Sequence, residues 1–274
     1  MKKAIFSTEI SLLRSTMQRL LRRRAHTNIS KILRKTHQAD VALIMRSLNQ
    51  YDQKKIFSLC PTSLHKARLL EELDESLIEK VLENESGQNI SKIFRYLDTN
   101  DQATIVGMFS DSKQKEILTT IEADDKEDVE EIMSYPDDSA GSIMTKETFT
   151  LNQNTTVKDS IKKLQSFPEN DKIFYLYVLD NKEKLVGVVS LRTLVTSQNS
   201  KKLKEIMIKD IQAATTSTDQ EEVAKKVAQY NYLALPVVNR QNKFLGIVTI
   251  DDVVDIIREE ASEDFLQMAG VGKD

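Results

Sequence analysis

Between residues 26 and 133 apolar positions recur three and four apart in short bursts, separated by polar turns. "DVALIMRSL", "QKKIFSLC", "SLHKARLLEEL", "ESLIEKVLE", "NISKIFRYL", "DQATIVGMF" and "SKQKEILTTI" are the units, each with the period of an amphipathic helix. Ser, Asp and Asn stand near their starts, where a side-chain oxygen can accept from the first free backbone N–H groups. A recurrence of about 10–12 residues predicts short helices stacked as a superhelix, each burying its stripe against its neighbours. This half shows no chemistry. His26, His37 and His65, the only histidines, lack metal-ligand spacing and read as surface or cap residues.

The pattern changes at "SYPDDSAGSIMT", Ser134 to Thr145, which reads as a turn-rich junction. Beyond it come "KIFYLYVLD", "LVGVVS", "LALPVV" and "FLGIVTI". They are apolar throughout, which predicts strands buried between helices. This half repeats itself. "VLDNKEKLVGVVSLRTLV" from Val178 aligns with "VVNRQNKFLGIVTIDDVV" from Val237, 59 residues on. Upstream, "IMTKETFTLNQNTTVKDSIKKL" from Ile143 aligns with "IMIKDIQAATTSTDQEEVAKKV" from Ile206, and the longer "SFPENDKIFY" link in the first copy absorbs the difference in offset. Each copy reads strand, helix, strand, strand, helix, and two copies together can bury sheets that one could not.

Composition narrows the class. The chain has 274 residues with 40% hydrophobic and 30% charged, enough for two or three small domains. The one cysteine, Cys60, excludes an internal disulfide and reads as a small buried apolar residue. No apolar run approaches the ~18–20 residues that cross a bilayer, and no cleavage-site pattern marks a secretion signal. The formal charge of −3 is uneven: residues 1–35 hold ten Lys/Arg against Glu9, hence +9, leaving −12 on the rest. That basic start reads as a solvated helix capping the helices after it, with a membrane-surface or nucleic-acid contact as the alternative.

One segment concentrates negative charge. "GIVTIDDVVDIIREEASEDFLQMAG" carries seven carboxylates between Asp251 and Asp264 against a single base, Arg258. Asp252, Asp255, Glu259 and Glu263 fall three, four and four apart, on one helix face, where like charges destabilise one another. Crowded carboxylates repel until a hard divalent cation neutralises them, and Mg2+ prefers oxygen ligands with several waters retained. Neutralising Asp252 and Asp255 is therefore expected to stabilise the metal-free chain slightly. A solvated helix face is the plain alternative.

The "IM" lead-in, a strand ending "LPVV", a turn, and "GIVT-x-x-D" opening a helix resemble the cystathionine-β-synthase-type (CBS) domain pair. The wider order is similar to the cytosolic region of the MgtE family of magnesium channels and transporters, from about His37 to Val271. It comprises the stacked helices, "YPDDSAGSIMT", "TDQEEVAKKVAQY", "LPVV", "TIDDVVDII" and "EEASEDFLQMAG". The resemblance implies an α plus α/β fold: an all-helical superhelical N-terminal domain over 1–133, then a tandem CBS pair over 134–200 and 201–258. The start of a connecting (plug) helix over 259–274 would follow, with a transmembrane pore domain of the same polypeptide beyond it. It implies a homodimer through the CBS halves at the cytoplasmic face of the membrane, sensing Mg2+ and gating the pore without catalysis or nucleic-acid binding. Matching positions imply metal ligands at Asp219, Glu221, the carbonyl of Ala228, Asp252, Asp255, Glu260, Glu263 and Asp264. Asn231 stands where the family often has an acid, and Gln88, Asn89 and Lys92 occupy the region where the helical half normally offers aspartates.

Many CBS pairs bind adenosine nucleotides such as ATP through an Asp three residues after the "G-h-h-S/T" Ser or Thr. Here Thr193 and Asp252 hold those places, and Tyr175 and Tyr232 could stack on a base. An adenosine-sensing module is accordingly the rival reading. No Ser/His/Asp, Cys/His or P-loop constellation supports an enzyme.

Overall fold

The structure, a computed structural model, describes residues 2–167 and 173–268, the side chains of 2–9, 259 and 262–268 excepted. It divides into two compact units, Met1–Glu127 and Asp128–Asp274.

The first unit is helical. A long α1 (Lys2–Arg22) precedes α2 (His26–Leu33), α3 (Gln38–Arg46), α4 (Gln50–Ser58), α5 (Ser63–Leu70), α6 (Glu75–Leu82), α7 (Gly87–Phe94), α8 (Thr99–Gly107) and α9 (Asp111–Leu118). α10 (Ala123–Met133) leads into the second unit. Asn49, Thr62 and Ser86 cap α4, α5 and α7, their side chains accepting from the backbone of Asp52, His65 and Asn89. His37 caps α3 through Nδ1, the cap role expected of it. Alternate helices pack together, α3 on α5, α5 on α7 and α7 on α9, with α4 on α6 and α6 on α8. α1 buries Met17 and lies on α2 and α3. Cys60 is buried, and burial outweighs the nearby Lys66 in pushing its thiol up to about 12, so it is inert packing.

A longer period runs through this unit than the single-helix recurrence in the sequence. α3 and α7 begin at residues 38 and 87, and α4 and α8 at 50 and 99, an offset of 49. Side chains follow it. Gln53 Nε2 on α4 donates to the carbonyls of Met45 and Leu48 at 3.0 Å each, closing the end of α3. Gln102 Nε2 on α8 donates to those of Phe94 and Leu97 at 3.1 and 2.8 Å, closing the end of α7. Arg46 binds Asp74, and Arg95 binds Glu122, each at 3.0 Å. The last carbonyls of a helix have no intrahelical donor. Here a buried amide one helix later supplies it, so the structural repeat holds four helices.

The second unit contains the tandem copies. The first has β1 (Thr150–Asn152), α11 (Val157–Ser166), β2 (Tyr175–Leu179), β3 (Leu185–Ser190) and α12 (Leu191–Thr196), followed by a short α13 (Leu203–Ile206). The second has β4 (Ala214–Thr215), α14 (Gln220–Tyr230), β5 (Ala234–Val238), β6 (Phe244–Thr249) and α15 (Ile250–Met268). In each sheet the first strand pairs parallel with the second, and the second antiparallel with the third. Lys184 bridges Lys243, its own counterpart 59 residues on, so a pseudo-twofold axis passes between the copies. The turn residues Glu183 and Asn242, also equivalent, both take positive φ.

The strands are not sandwiched between helices on both faces, as their apolar runs had suggested. Leu176 and Val178 of β2 enter a core with Val157 of α11 and Leu194 of α12. Tyr177, facing the other way, packs with Ala234, Val238 and Ile247 of the second copy and stacks on Phe244 at 5.0 Å. A continuous apolar strand therefore reports two apolar neighbours, and the second is the other sheet. The junction is likewise not loose. Ala140 and Gly141 donate to the carbonyls of Thr218 and Thr216, and Thr145 pairs with Ile247. Gly246 is required there, because a Cβ would lie 2.5 Å from the Thr145 carbonyl oxygen. No described helix is long and apolar enough to cross a membrane. α15 runs unbroken into the expected connecting segment as far as Met268, with no Gly or Pro from Ile250 to Met268 to end it.

Candidate functional site

α14 and α15 of the second copy pack against each other and carry, with the N-cap of α14, the described residues among the expected ligands. Asp219 is the N-cap of α14, its carboxylate accepting from the Glu221 backbone at 2.8 Å. Glu221 holds Lys225 at 2.8 Å, one turn along. From α15, Glu260 accepts from the amide of the buried Gln220 at 3.1 Å. The Glu221 carboxylate, then Asp219 and Glu260, hold the Lys225 ammonium above its ordinary value. Of the expected ligands, Glu221 thus contacts Lys225 directly, while Asp219 and Glu260 act on it only through their fields.

The others lie elsewhere on the same helix pair. Thr249 Oγ1, fully buried, donates to Asp252 at 2.5 Å, so this carboxylate fastens the start of α15. That corrects the expectation that neutralising Asp252 relieves only repulsion. Asp255 pairs with Arg258 at 3.0 Å on the exposed face. Ala228 is exposed in the last turn of α14, where carbonyls lose their intrahelical donors. Asn231 ends that helix in the left-handed conformation that Asn tolerates, which gives it a structural reason to replace an acid. The side chains of Glu259, Glu263 and Asp264 lie outside the described residues.

Among the described residues no three His, Cys, Asp or Glu side chains converge as a metal site. The donor chemistry still suits a hard cation that keeps its waters and takes one or two carboxylates. In the metal-free chain these carboxylates have internal partners, Lys225, Thr249 and Arg258 among them. Binding Mg2+ means exchanging some of those partners for the ion.

The candidate nucleotide residues come from different copies and lie near enough for the field of Tyr175 to reach Tyr232. Tyr175, at the start of β2, meets Tyr177 edge-on at 6.5 Å, and Tyr232 stacks on Tyr230 at 5.5 Å. Burial first, then the fields of Tyr230, Asp210 and Tyr175, push the Tyr232 phenol up. Thr193 bonds the Ser190 hydroxyl at 2.9 Å, so the two copies offer different chemistry at equivalent positions, a hydroxyl pair and a carboxylate.

Sequence reading missed three features. Gln220, which ties α14 to α15, sits next to an N-cap and carries no pattern of its own. Lys225 reads in the sequence as an ordinary member of an i,i+4 pair, without the added field of Glu260 from α15. Lys146 joins Glu131 at 2.5 Å and Asp128 at 3.3 Å, while the Tyr135 hydroxyl donates to Glu131 at 2.7 Å. Gly141 lets the Tyr135 ring approach to where a Cβ would stand, 2.5 Å away. Its place in a turn-rich string was the only signal for it.

Residues 36–138 match the MgtE intracellular N domain, and 140–199 and 203–259 match the CBS domain. The chain is similar to the magnesium transporter MgtE of Bacillus subtilis, 35% identical over 240 residues that make up 83% of this chain and 53% of that protein. It is 39% identical over 145 residues to the magnesium transporter MgtE of Thermus thermophilus, covering 53% of this chain and 32% of that one. The chain spans about half, or less, of the length of these curated relatives. A crystal structure of the cytosolic domain of the Mg2+ channel MgtE in complex with ATP superposes at a TM-score of 0.83 and 27% identity. It covers 89% of this chain and 99% of that one.

Proposed function

Because the chain belongs to the MgtE family, over an N domain and a CBS pair, we propose that it senses Mg2+ and gates a magnesium-transporting membrane domain of the same polypeptide. It acts at the cytoplasmic face as a regulatory, non-catalytic region. One observation carries the reading: α15 is tied to the start of α14 through Glu260 and Gln220, next to the acidic N-cap Asp219 and the Glu221–Lys225 pair. α15 follows directly from β6 and runs on as one rod past the second copy, so a change at this cluster has a mechanical way out. Mg2+ that favours the compact arrangement stabilises it by linkage, by roughly 1.4 kcal/mol at ten times the dissociation constant of one site. Millimolar MgCl2 is expected to raise the melting temperature, with KCl at matched ionic strength doing much less, since screening only weakens repulsion between neighbouring carboxylates. Equal shifts with both salts would overturn the sensor.

A second ligand is favoured by the similarity to the ATP-bound MgtE cytosolic domain and by the nearness of Tyr175 and Tyr232. ATP binding there would work alongside the Mg2+ response. Melting in ATP without Mg2+ separates the two.

The working form is a homodimer through the CBS halves. Val195 on α12 and Val254 on α15 are equivalent in the repeat and both exposed, at 64% and 38%, with Ile257 one turn on. Two such faces, related by the pseudo-twofold, suit a symmetric partner of the same kind. Light scattering at tens of micromolar is expected to give twice the chain mass, and Val195→Glu with Val254→Glu is expected to give the monomer. A monomeric parent chain would remove the dimer from the proposal.

A further inference from the structure

Residues 1–35 precede the matched N domain, which begins at 36, and the sensor reading gives them no task. Their described part forms α1 and α2. On α1 and the turn after it, Arg14, Arg19, Arg22, Arg23 and Arg24 are all exposed. On and after α2, so are Lys31, Arg34 and Lys35. None of these eight pairs with a carboxylate among the described residues. Elsewhere in the first unit the exposed Arg46 and Arg95 and the half-buried Lys54 pair with Asp74, Glu122 and Glu83, and the described cations left without a pair, such as Lys80, Lys92 and Lys115, are scattered singly rather than gathered. Lys31, Arg34 and Lys35, with the hydroxyl residues Thr27, Ser30 and Thr36, also line an open groove of about 700 Å3. On α1 the face opposite the buried Met17 carries Leu12, 62% exposed, seven residues from Arg19 and so on the same side of the helix.

We propose that α1 and α2 form a docking surface for anionic lipid. The inference rests on the sensor reading only for placing the chain beside a membrane. Its own support is charge complementarity and the exposed leucine. A helix that rests on a bilayer combines Lys/Arg with an apolar residue that enters the headgroup layer. Nucleic acid is the other polyanion, and its single-stranded forms are held by aromatic side chains that stack on bases. Between Phe6 and Tyr51 the sequence has no Phe, Tyr or Trp. α1 thus has the apolar wedge that lipid uses and lacks the platform that bases use. Docking here gives the N-terminal unit an attachment to the bilayer separate from the covalent one.

The whole chain is mixed, without Mg2+, with vesicles of phosphatidylglycerol and phosphatidylcholine in equal parts, and sedimented. It is expected to co-sediment with these and not with phosphatidylcholine alone. At about 1 M KCl, where screening shortens to ~3 Å, the binding is expected to vanish. A basic residue at an anionic surface contributes about fivefold. Arg19→Gln, Arg22→Gln, Lys31→Gln and Arg34→Gln together are therefore expected to weaken binding by about a hundredfold or more. Leu12→Ser is expected to weaken it several-fold. These are exposed positions, and an unchanged melting temperature verifies the fold. Absence of binding to the mixed vesicles overturns the proposal, as does equal binding by the fourfold variant. So does tighter binding of a DNA or RNA oligonucleotide at the same salt. Mg2+-dependent melting of the same samples keeps the two readings apart: lost vesicle binding with an intact Mg2+ shift removes only the lipid surface. The reverse result removes only the sensor.

Discussion

Converting Gln53 and Gln102 to Met together is expected to lower the unfolding free energy by about 2–5 kcal/mol. Both side chains are buried, at 7% and 6% exposed, and Met preserves their length and apolar contacts. What goes is the amide. The Leu48 carbonyl loses its Gln53 donor, whereas Met45 keeps the bond from the Leu48 backbone. A buried polar group left without a partner costs about 1–3 kcal/mol. The two sites share no hydrogen-bond partner, so their effects should add. They should not be equal. Gln102 Oε1 is buried with no hydrogen-bond partner, and removing it returns part of the loss. Urea denaturation of the single variants should therefore find Gln53→Met the more damaging. Two harmless single variants would mean that the glutamines do not close these helices.

Those glutamines show where the sequence was readable and where it was not. Each short helix from α3 to α9 is visible as a burst of apolar period, because a stripe buried against neighbours must repeat every three or four residues. The four-helix repeat is hidden, because its markers are single polar residues, Gln53 and Gln102, in strings that otherwise read as solvent-facing. In the second unit the copies align by eye at 59 residues, and the pseudo-twofold bridge at Lys184 and Lys243 follows from that alignment. Strand apolarity did not reveal which neighbour covers each face. Burial says only that something apolar is there, whether helix or second sheet.

The acidic residues were legible as charges and illegible as partners. Their spacing put Asp252 and Asp255 on one face, and helix geometry keeps them there. Yet Asp252 turns to Thr249 and Asp255 to Arg258, each a neighbour three residues away, and which neighbour is taken is set by the rotamer. Glu260 reaches another helix altogether, through Gln220. The sequence alone had no means of placing Glu260 against Gln220, within reach of the field of Lys225.

That placement shapes the expected metal response. If Mg2+ takes the charge now neutralised by side-chain cations, Asp255→Asn with Glu260→Gln should lose at least about tenfold in Mg2+ affinity, or about 1.4 kcal/mol. The metal-free melting temperature should barely move. The Asp255–Arg258 pair is exposed and worth little, and a glutamine at 260 can still accept from Gln220. Asp252→Asn should behave differently. It weakens a charge-assisted bond from a buried hydroxyl at a helix start, at a cost of about 1–2 kcal/mol with or without metal. Lys225→Gln should act in the opposite sense from the double variant. It removes the competing ammonium, exposed enough to leave the fold intact, and should tighten Mg2+ binding several-fold. Calorimetric titration of the variants tests all of this together. An unchanged Mg2+ affinity in the Asp255/Glu260 double variant would assign those carboxylates to the surface. A weaker affinity in Lys225→Gln would mean the lysine organises the cluster rather than standing in for the ion.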